Sequence, residues 1–482
     1  MELRLLPFIA MTGLLQIGPQ QVNAQRETDK WYFGSNGEGL DFTGHCDPAP
    51  LGDGGFYGFE GCSTVADRNT GELLFYTNSE QVYGRDHLVM PNGSLHVSGS
   101  VSENTITQVL ITSRPGSDVQ YYVFTNQIQG GSVGGGGMRM ACVDMTLNGG
   151  NGDVVFKDSV VYADTVSEKV AAVKHANGTD LWVIGHAYPG DEFFSLRITP
   201  NGPVYPAVIS AIGKHYGGGT MDCLGEMKAD PRGDRIAVVT SGQPHVELYR
   251  FNRMTGAVSD RVAISSPEIA TSGNSWLYGV SFSPSGSKLY AARKNFGLPI
   301  PSLIQVDVSS HDSLEIAASY TVISTLDSIY GIHLGPNGKI YARRADLHLG
   351  AIHFPDNAGL ACDFDPEAIT FLEPPGPMGT WGLNNNITLA GYPCLSLSGS
   401  DDDHKPPLAL IHPVPTDGDI TVTVPEIPRG GRLVLRDLLG RTVSEHPLIR
   451  SSTQLTIQHS GTWFLELWDA QRRLTTMRVI RQ

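Results

Sequence analysis

A strand, a tight turn centred on glycine and a second strand recur along the middle of this chain, and few architectures accommodate such a unit. The clearest copies span 225–238, 279–290 and 331–341, turning through Asp230-Pro231-Arg232-Gly233, Ser283-Pro284-Ser285-Gly286 and Gly335-Pro336-Asn337-Gly338. Their turn glycines lie 53 and 52 residues apart. Fainter copies centre on Gly71, Gly116 and Gly178, with 45, 62 and 55 residues to the next turn. Further runs of roughly alternating polarity follow several copies, at 193–198, 246–251, 303–308 and 351–354. Proline ahead of glycine presets the backbone, and glycine supplies the positive φ that closes the hairpin. A period of about 40–50 residues carrying several strands marks propeller blades. Each unit has two faces to bury, so stacked copies must supply one another's core. The sequence therefore predicts an all-β, six- or seven-bladed β-propeller in preference to a sandwich of unrelated hairpins. A seventh blade would draw 380–389 together with Trp31-Tyr32-Phe33-Gly34 and Leu40-Asp41-Phe42.

The repeat stops before residues 396–407, where Ser, Gly, Asp and Pro without periodicity read as a linker. Beyond it, alternating runs at 420–424, 433–435, 455–457 and 464–467 predict a small Ig-like antiparallel β-sandwich. At the other end, Arg4, an apolar run over 5–17 and Val22-Asn23-Ala24 read as a secretory signal peptide, cleaved between Ala24 and Gln25. No later run reaches the ~20 apolar residues of a spanning helix. The expected parts are a signal peptide at 1–24, a propeller at 25–395, a linker at 396–407 and a terminal domain at 408–482.

Charge is unevenly divided. Residues 416–482 hold nine Arg against seven Asp or Glu, so the net −15 of the chain rests as about −17 on the body. An acidic body excludes the clustered Lys and Arg that nucleic acid demands. Six cysteines are few for 482 residues, and the expected oxidising destination makes pairing reasonable. Cys46 with Cys62 and Cys362 with Cys394 are the pairs close in sequence, among 15 connectivities. There is no C-x-x-C.

The terminal domain resembles the type A C-terminal sorting domain of proteins exported by the bacterial type IX secretion system. The resemblance rests on His412-Pro413-Val414-Pro415-Thr416-Asp417-Gly418, Asp437-Leu438-Leu439-Gly440-Arg441 and Ser460-Gly461-Thr462-Trp463-Phe464-Leu465, followed by a basic-ended last strand. Val414 stands where that family usually has a polar residue. The positions that carry the match are Pro413, Pro415, Thr416, Gly418, Gly440, Arg441, Gly461 and Thr462. The body is similar to secreted propellers often fused to such a domain, through Trp31-Tyr32-Phe33-Gly34, Gly39-Leu40-Asp41-Phe42 and Glu60-Gly61-Cys62-Ser63-Thr64-Val65-Ala66-Asp67. These resemblances imply passage through the periplasm, the type IX machinery as a partner, and a secreted or outer-surface destination. They imply no activity.

Chemistry is harder to find. Gly130-Gly131-Ser132-Val133-Gly134 matches a nucleophile elbow, yet the glycines that follow cannot open the helix an elbow requires. The same stretch lacks the G-K-[ST] ending of a phosphate cradle. His215-Tyr216-Gly217-Gly218-Gly219 reads as a connection between blades. Asp363-Phe364-Asp365-Pro366-Glu367 could offer carboxylates to Ca²⁺, although a solvated acidic turn is the favoured reading; no other cofactor is expected. His333, His348 and His353 show no metal-ligand spacing. The favoured function is a binding or adhesion module facing an extracellular glycan or protein through loops at the channel. The alternative is a propeller enzyme of lactonase, lyase or quinoprotein-like type using that channel. Carboxylates and histidines converging at one mouth would favour the enzyme.

Overall fold

All six turn glycines take the positive φ that the repeat demands. At Gly233 φ is +76°, and its N–H donates to Asp230 O at 2.9 Å, while the Asp230 carboxylate accepts from Asp234 N at 2.8 Å. Gly286 repeats this at +74°, with Ser283 in the place of the aspartate. Each turn joins an inner strand to its neighbour, and each hairpin continues outward into a four-stranded antiparallel sheet. Among the described residues of the first unit there are six such sheets, with inner strands Ser63–Ala66, Leu110–Ser113, Val166–Lys174, Met227–Ala229, Trp276–Phe282 and Ile329–Leu334. We number them blades one to six. The computed structural model describes residues 26–35, 37–43, 47–95, 108–127, 137–217, 220–242, 245–264, 276–295, 300–326, 329–344, 346–371, 380–387, 410–412, 418–424, 427, 429–437, 441–470 and 473–481.

Apolar cores lie between sheets, in a closed order. Val65 and Phe75 of blade one pack with Ile111 and Val123 of blade two. Phe124 of blade two meets Val170 and Phe194 of blade three, and Ile184 of blade three meets Met227 and Ile236 of blade four. Val239 and Leu248 join Val280 and Leu289, then Tyr290 and Ala292 join Ile332 and Ile340. The last core unites Tyr341 and Leu349 of blade six with Trp31, Phe33 and Leu40, and these with Tyr76 of blade one. The fold is thus a β-propeller in which every sheet face finds a partner.

Trp31, Phe33 and Leu40 belong to the seventh position. There Lys30–Tyr32, Glu38–Asp41 and Ala49–Gly52 form a three-stranded sheet with Trp31 opposite Leu40. Residues 380–387 run along its axial side: Asn385 N donates to Cys62 O at 2.9 Å, Gly331 N to Trp381 O at 2.9 Å, and Trp381 N to Phe59 O at 2.7 Å. Buried Arg343 of blade six ties the pieces together, donating to Glu38 Oε2 at 2.9 Å and Thr380 Oγ1 at 3.1 Å. Residues 388–389 of the expected seventh blade lie outside the described ones.

The chain divides into two units, Met1–Tyr392 and Pro393–Gln482. The second is a β-sandwich. One sheet orders Leu410–His412, Asp419–Thr423 and Ser452–Thr456; the other orders Thr442–Pro447, Arg432–Arg436, Gly461–Trp468 and Arg473–Arg481. Ile420, Val422, Leu433, Leu435, Leu455, Leu465, Leu467 and Val479 fill the space between them.

The cysteines correct the sequence reading. Cys62 and Cys362 are buried free thiols, as are Cys142 and Cys223, so neither the Cys46–Cys62 nor the Cys362–Cys394 pair is made. Cys62 is spent on the ring closure, in a parallel bridge to Asn384, and Cys362 packs in the apolar core between blades five and six. Cys46 and Cys394 lie outside the described residues.

Candidate functional site

Inner strands of a propeller present alternate side chains to the axis, and here many of those are polar. Asn385, from the closing segment, reaches three blades: its amide donates to Val109 O at 3.1 Å and Val170 O at 3.3 Å, and its Oδ1 accepts from Lys228 Nζ at 2.9 Å. Lys228 also faces Glu226 at 3.9 Å, both nearly devoid of exposure. Gln108 bridges blades three and four, accepting from Val170 N and Met227 N and donating to Met227 O. Burial raises the Glu226 carboxyl to about 6, against the pull of Lys228 and of the Val280 and Ile332 N–H groups. His333 lies against Trp31 and is held neutral by burial and by the neighbouring Lys228 charge. This part of the axis is filled by the protein's own groups.

A different cluster forms where the inner strands begin. Glu60 precedes the inner strand of blade one, Glu168 lies near the start of that of blade three, and Trp276 and Tyr278 open that of blade five. Tyr330 opens blade six, Lys294 ends the second strand of blade five, and Trp381 lies in the closing segment. Glu60 is 3% exposed and Glu168 2%. Burial, and then the Glu168 charge, hold the Glu60 carboxyl well above the usual carboxylate range, opposed by the Tyr278 hydroxyl and the Lys294 ammonium. Around these charges Trp381 stacks on Tyr330 at 5.6 Å between ring centres and meets Trp276 and Tyr278 edge-on, both at 5.9 Å. Phe59 backs Trp381 at 4.8 Å. Trp276, Trp381, Phe59 and Lys294 remain partly exposed, whereas the carboxylates do not.

Two glycines allow this approach. A Cβ on Gly279 would stand 2.3 Å from Tyr330 O, and one on Gly382 1.6 Å from Glu60 O, both backbone atoms that cannot swing aside. Chemically the cluster offers ring faces for stacking on sugars or cations. With them lie the buried Glu60 and Glu168 carboxyls, Glu60 inclined to hold its proton, together with the Lys294 ammonium. Among these described residues there is no histidine.

Sequence reasoning singled out none of these residues as a site. Glu60 was noted only within a family-like stretch, and the available signal was the pair Tyr278-Gly279 and Tyr330-Gly331, each at the same offset from its turn glycine. Of the residues that were singled out, Ala24, Gln25, Ser132, Pro413, Pro415, Thr416 and Gly440 lie outside the described residues. Gly418 precedes Asp419–Thr423 and accepts from Ile457 N at 2.7 Å. Arg441 pairs with Asp437 at 2.7 Å across their turn, and Gly461 and Thr462 open Gly461–Trp468 opposite Arg481 and Ile480. Asp363 is a left-handed residue ahead of Phe364–Thr370, and Asp365 Oδ1 accepts from Glu367 N at 2.9 Å. Among the described residues no three His, Cys, Asp or Glu come together to hold a metal. Tyr216 is buried against His186, and His348 bonds to Thr370. Among the described residues no helix is long and apolar enough to cross a membrane.

No protein-family model matches the sequence, and no curated protein does. Solved structures are similar to it at low identity. PorZ, described as an essential surface component of the type IX secretion system of Porphyromonas gingivalis, is 11% identical over 95% of this chain, which spans 64% of it, with a TM-score of 0.34. The periplasmic gluconolactonase PpgL of Pseudomonas aeruginosa is 14% identical, covering 83% of this chain and 95% of its own, with a TM-score of 0.37. The β-propeller domain of Cps50 (Swd1) from Myceliophteria thermophila is 12% identical, covering 66% and 91%, with a TM-score of 0.37.

Proposed function

We propose that this chain is a binding propeller, exported by type IX secretion and displayed at the cell surface, which recognises its ligand at the mouth where the inner strands begin. The observation that carries the reading is the partly exposed aromatic group Trp276, Trp381 and Phe59 set above the buried Glu60 and Glu168. Aromatic faces beside a few convergent polar groups are what a recognition site needs. The charge of about −17 on the body disfavours polyanions and leaves neutral or cationic ligands. The export half of the reading is supported by the motif residues from Pro413 to Thr462 and by the small separate sandwich that holds the described ones.

The test is to bind the full mature chain to immobilised neutral glycans, amine-bearing glycans and basic proteins, with Trp381→Ala alongside. An anchor aromatic at the centre of a site is worth tenfold or more in affinity, about 1.4 kcal/mol. Unchanged binding by a folded Trp381→Ala protein sinks the proposal.

One observation favours an enzyme at the same mouth. Two buried carboxyls interact there, and burial with the Glu168 charge inclines Glu60 to hold its proton, as a general acid must. Turnover of any hydrolase or lyase substrate, lost in Glu60→Gln and in Glu168→Gln, would replace the binding reading by this one.

A further inference from the structure

Lys294 already occupies the mouth in an informative way. Its Nζ lies 4.1 Å from the ring centre of Trp381, 5.2 Å from that of Trp276 and 5.4 Å from that of Tyr330. The rings come from blade five, blade six and the closing segment, so the cage exists only when the propeller is closed. An ammonium is drawn to the face of an aromatic ring by the ring quadrupole, most strongly by tryptophan. The Glu60 carboxyl lies within electrostatic reach of that ammonium, which draws it toward its charged form against burial, and attraction between opposite charges strengthens where water is excluded.

The surroundings carry unspent polar capacity. Glu60 Oε2, Trp381 Nε1 and both amide atoms of Asn384 are buried without a hydrogen-bond partner among the described residues. Glu60 is 3% exposed and Asn384 0%. Buried polar atoms are ordinarily satisfied, so Glu60 Oε2 and Trp381 Nε1 at the rings, with Asn384 three residues along the same segment, mark a place able to take an additional group. What fits is shown by the protein itself: an unbranched methylene chain ending in an ammonium.

Resting on the reading of this mouth as the recognition site, we infer that the cage of Trp276, Tyr330 and Trp381 over Glu60 takes alkylammonium groups on unbranched chains, as a lysine side chain of a partner protein presents them, and that Lys294 is its internal occupant. The incoming ammonium displaces a tethered competitor of the same chemistry. Affinity is therefore reduced by the fraction of time that the cage is open, and removing the occupant restores it.

The experiment titrates the full mature chain with n-butylammonium and, separately, with glucosamine, following tryptophan fluorescence. In Lys294→Ala, n-butylammonium is expected to bind saturably and at least tenfold more tightly than to the unmodified chain. Trp381→Ala on that background abolishes binding, and Glu60→Gln weakens it. Lys294→Gln, which keeps the length and loses the charge, repeats the test if the alanine variant does not fold. Absence of saturable n-butylammonium binding in a folded Lys294 variant overturns the inference. Should that variant bind glucosamine alone, the mouth remains a recognition site and its ligand class is a sugar. If n-butylammonium binds as expected while Trp381→Ala leaves the immobilised panel unaffected, the cage stands and the wider functional reading falls.

Discussion

Asn385→Ala should open the propeller at its axis. The native amide makes three side-chain hydrogen bonds, to Val109 O, Val170 O and the Lys228 ammonium, at 3.1, 3.3 and 2.9 Å. Two are neutral, worth about 0.5–1.5 kcal/mol each, and the one to a charged group is worth about 1.5–3 kcal/mol. Alanine also leaves Lys228, 3% exposed, with Glu226 at 3.9 Å as its ion partner. The summed loss is about 4 kcal/mol, roughly a thousandfold in the ratio of folded to unfolded propeller. Asn386→Ala is the internal control, one residue along the same segment. That side chain accepts a single bond, from Ser63 Oγ at 3.1 Å, and should cost about 1 kcal/mol. Urea unfolding of the full chain, followed by tryptophan fluorescence and far-ultraviolet circular dichroism, measures both. Equal losses for the two variants, or less than about 1 kcal/mol for Asn385→Ala, would refute the claim that this axial network closes the ring.

Three further outcomes follow from the same structure. Burial pushes His186 down to about 3 and His333 well below its ordinary range, while in the unfolded chain both titrate near 6.5; their contribution to stability is present above that pH and lost as pH falls from about 6.5 toward 3. The pH dependence of the urea midpoint should therefore flatten in His186→Phe, and an unchanged profile contradicts the assignment. Burial raises the thiols of Cys62 and Cys362, so iodoacetamide should spare both in the native protein and label both in denaturant without reductant; recovery of either in a disulfide-linked peptide would reject the free-thiol assignment. Truncation before residue 408 should leave β-rich circular dichroism intact while the protein accumulates in the periplasm, because the terminal sandwich has its own core; normal surface display of the truncated chain would remove the sorting role.

What the sequence by itself determined was local. Gly233, Gly286 and Gly338 were legible because a positive φ at a hairpin is a demand made by the residue and its neighbours alone, and period-2 alternation is likewise written along a single strand. Their spacing carried the rest of the architecture, since a unit that cannot bury both faces must stack on its own copies. Six blades or seven stayed open in the sequence, and the pairing of Trp31 with Leu40 in one short sheet at the seventh position came from the tertiary structure. The cysteines were misread because proximity in sequence says nothing of which core a thiol enters: Cys62 went to the ring closure and Cys362 to the interface of blades five and six. The mouth belongs to tertiary structure altogether. Glu60, Glu168, Lys294 and Trp381 are scattered along three hundred residues, and none carries a motif. Only closure of the ring removes water from the two carboxyls, raises Glu60 and surrounds Lys294 with aromatic faces, because desolvation and ring geometry are properties of the assembled axis and of no segment within it.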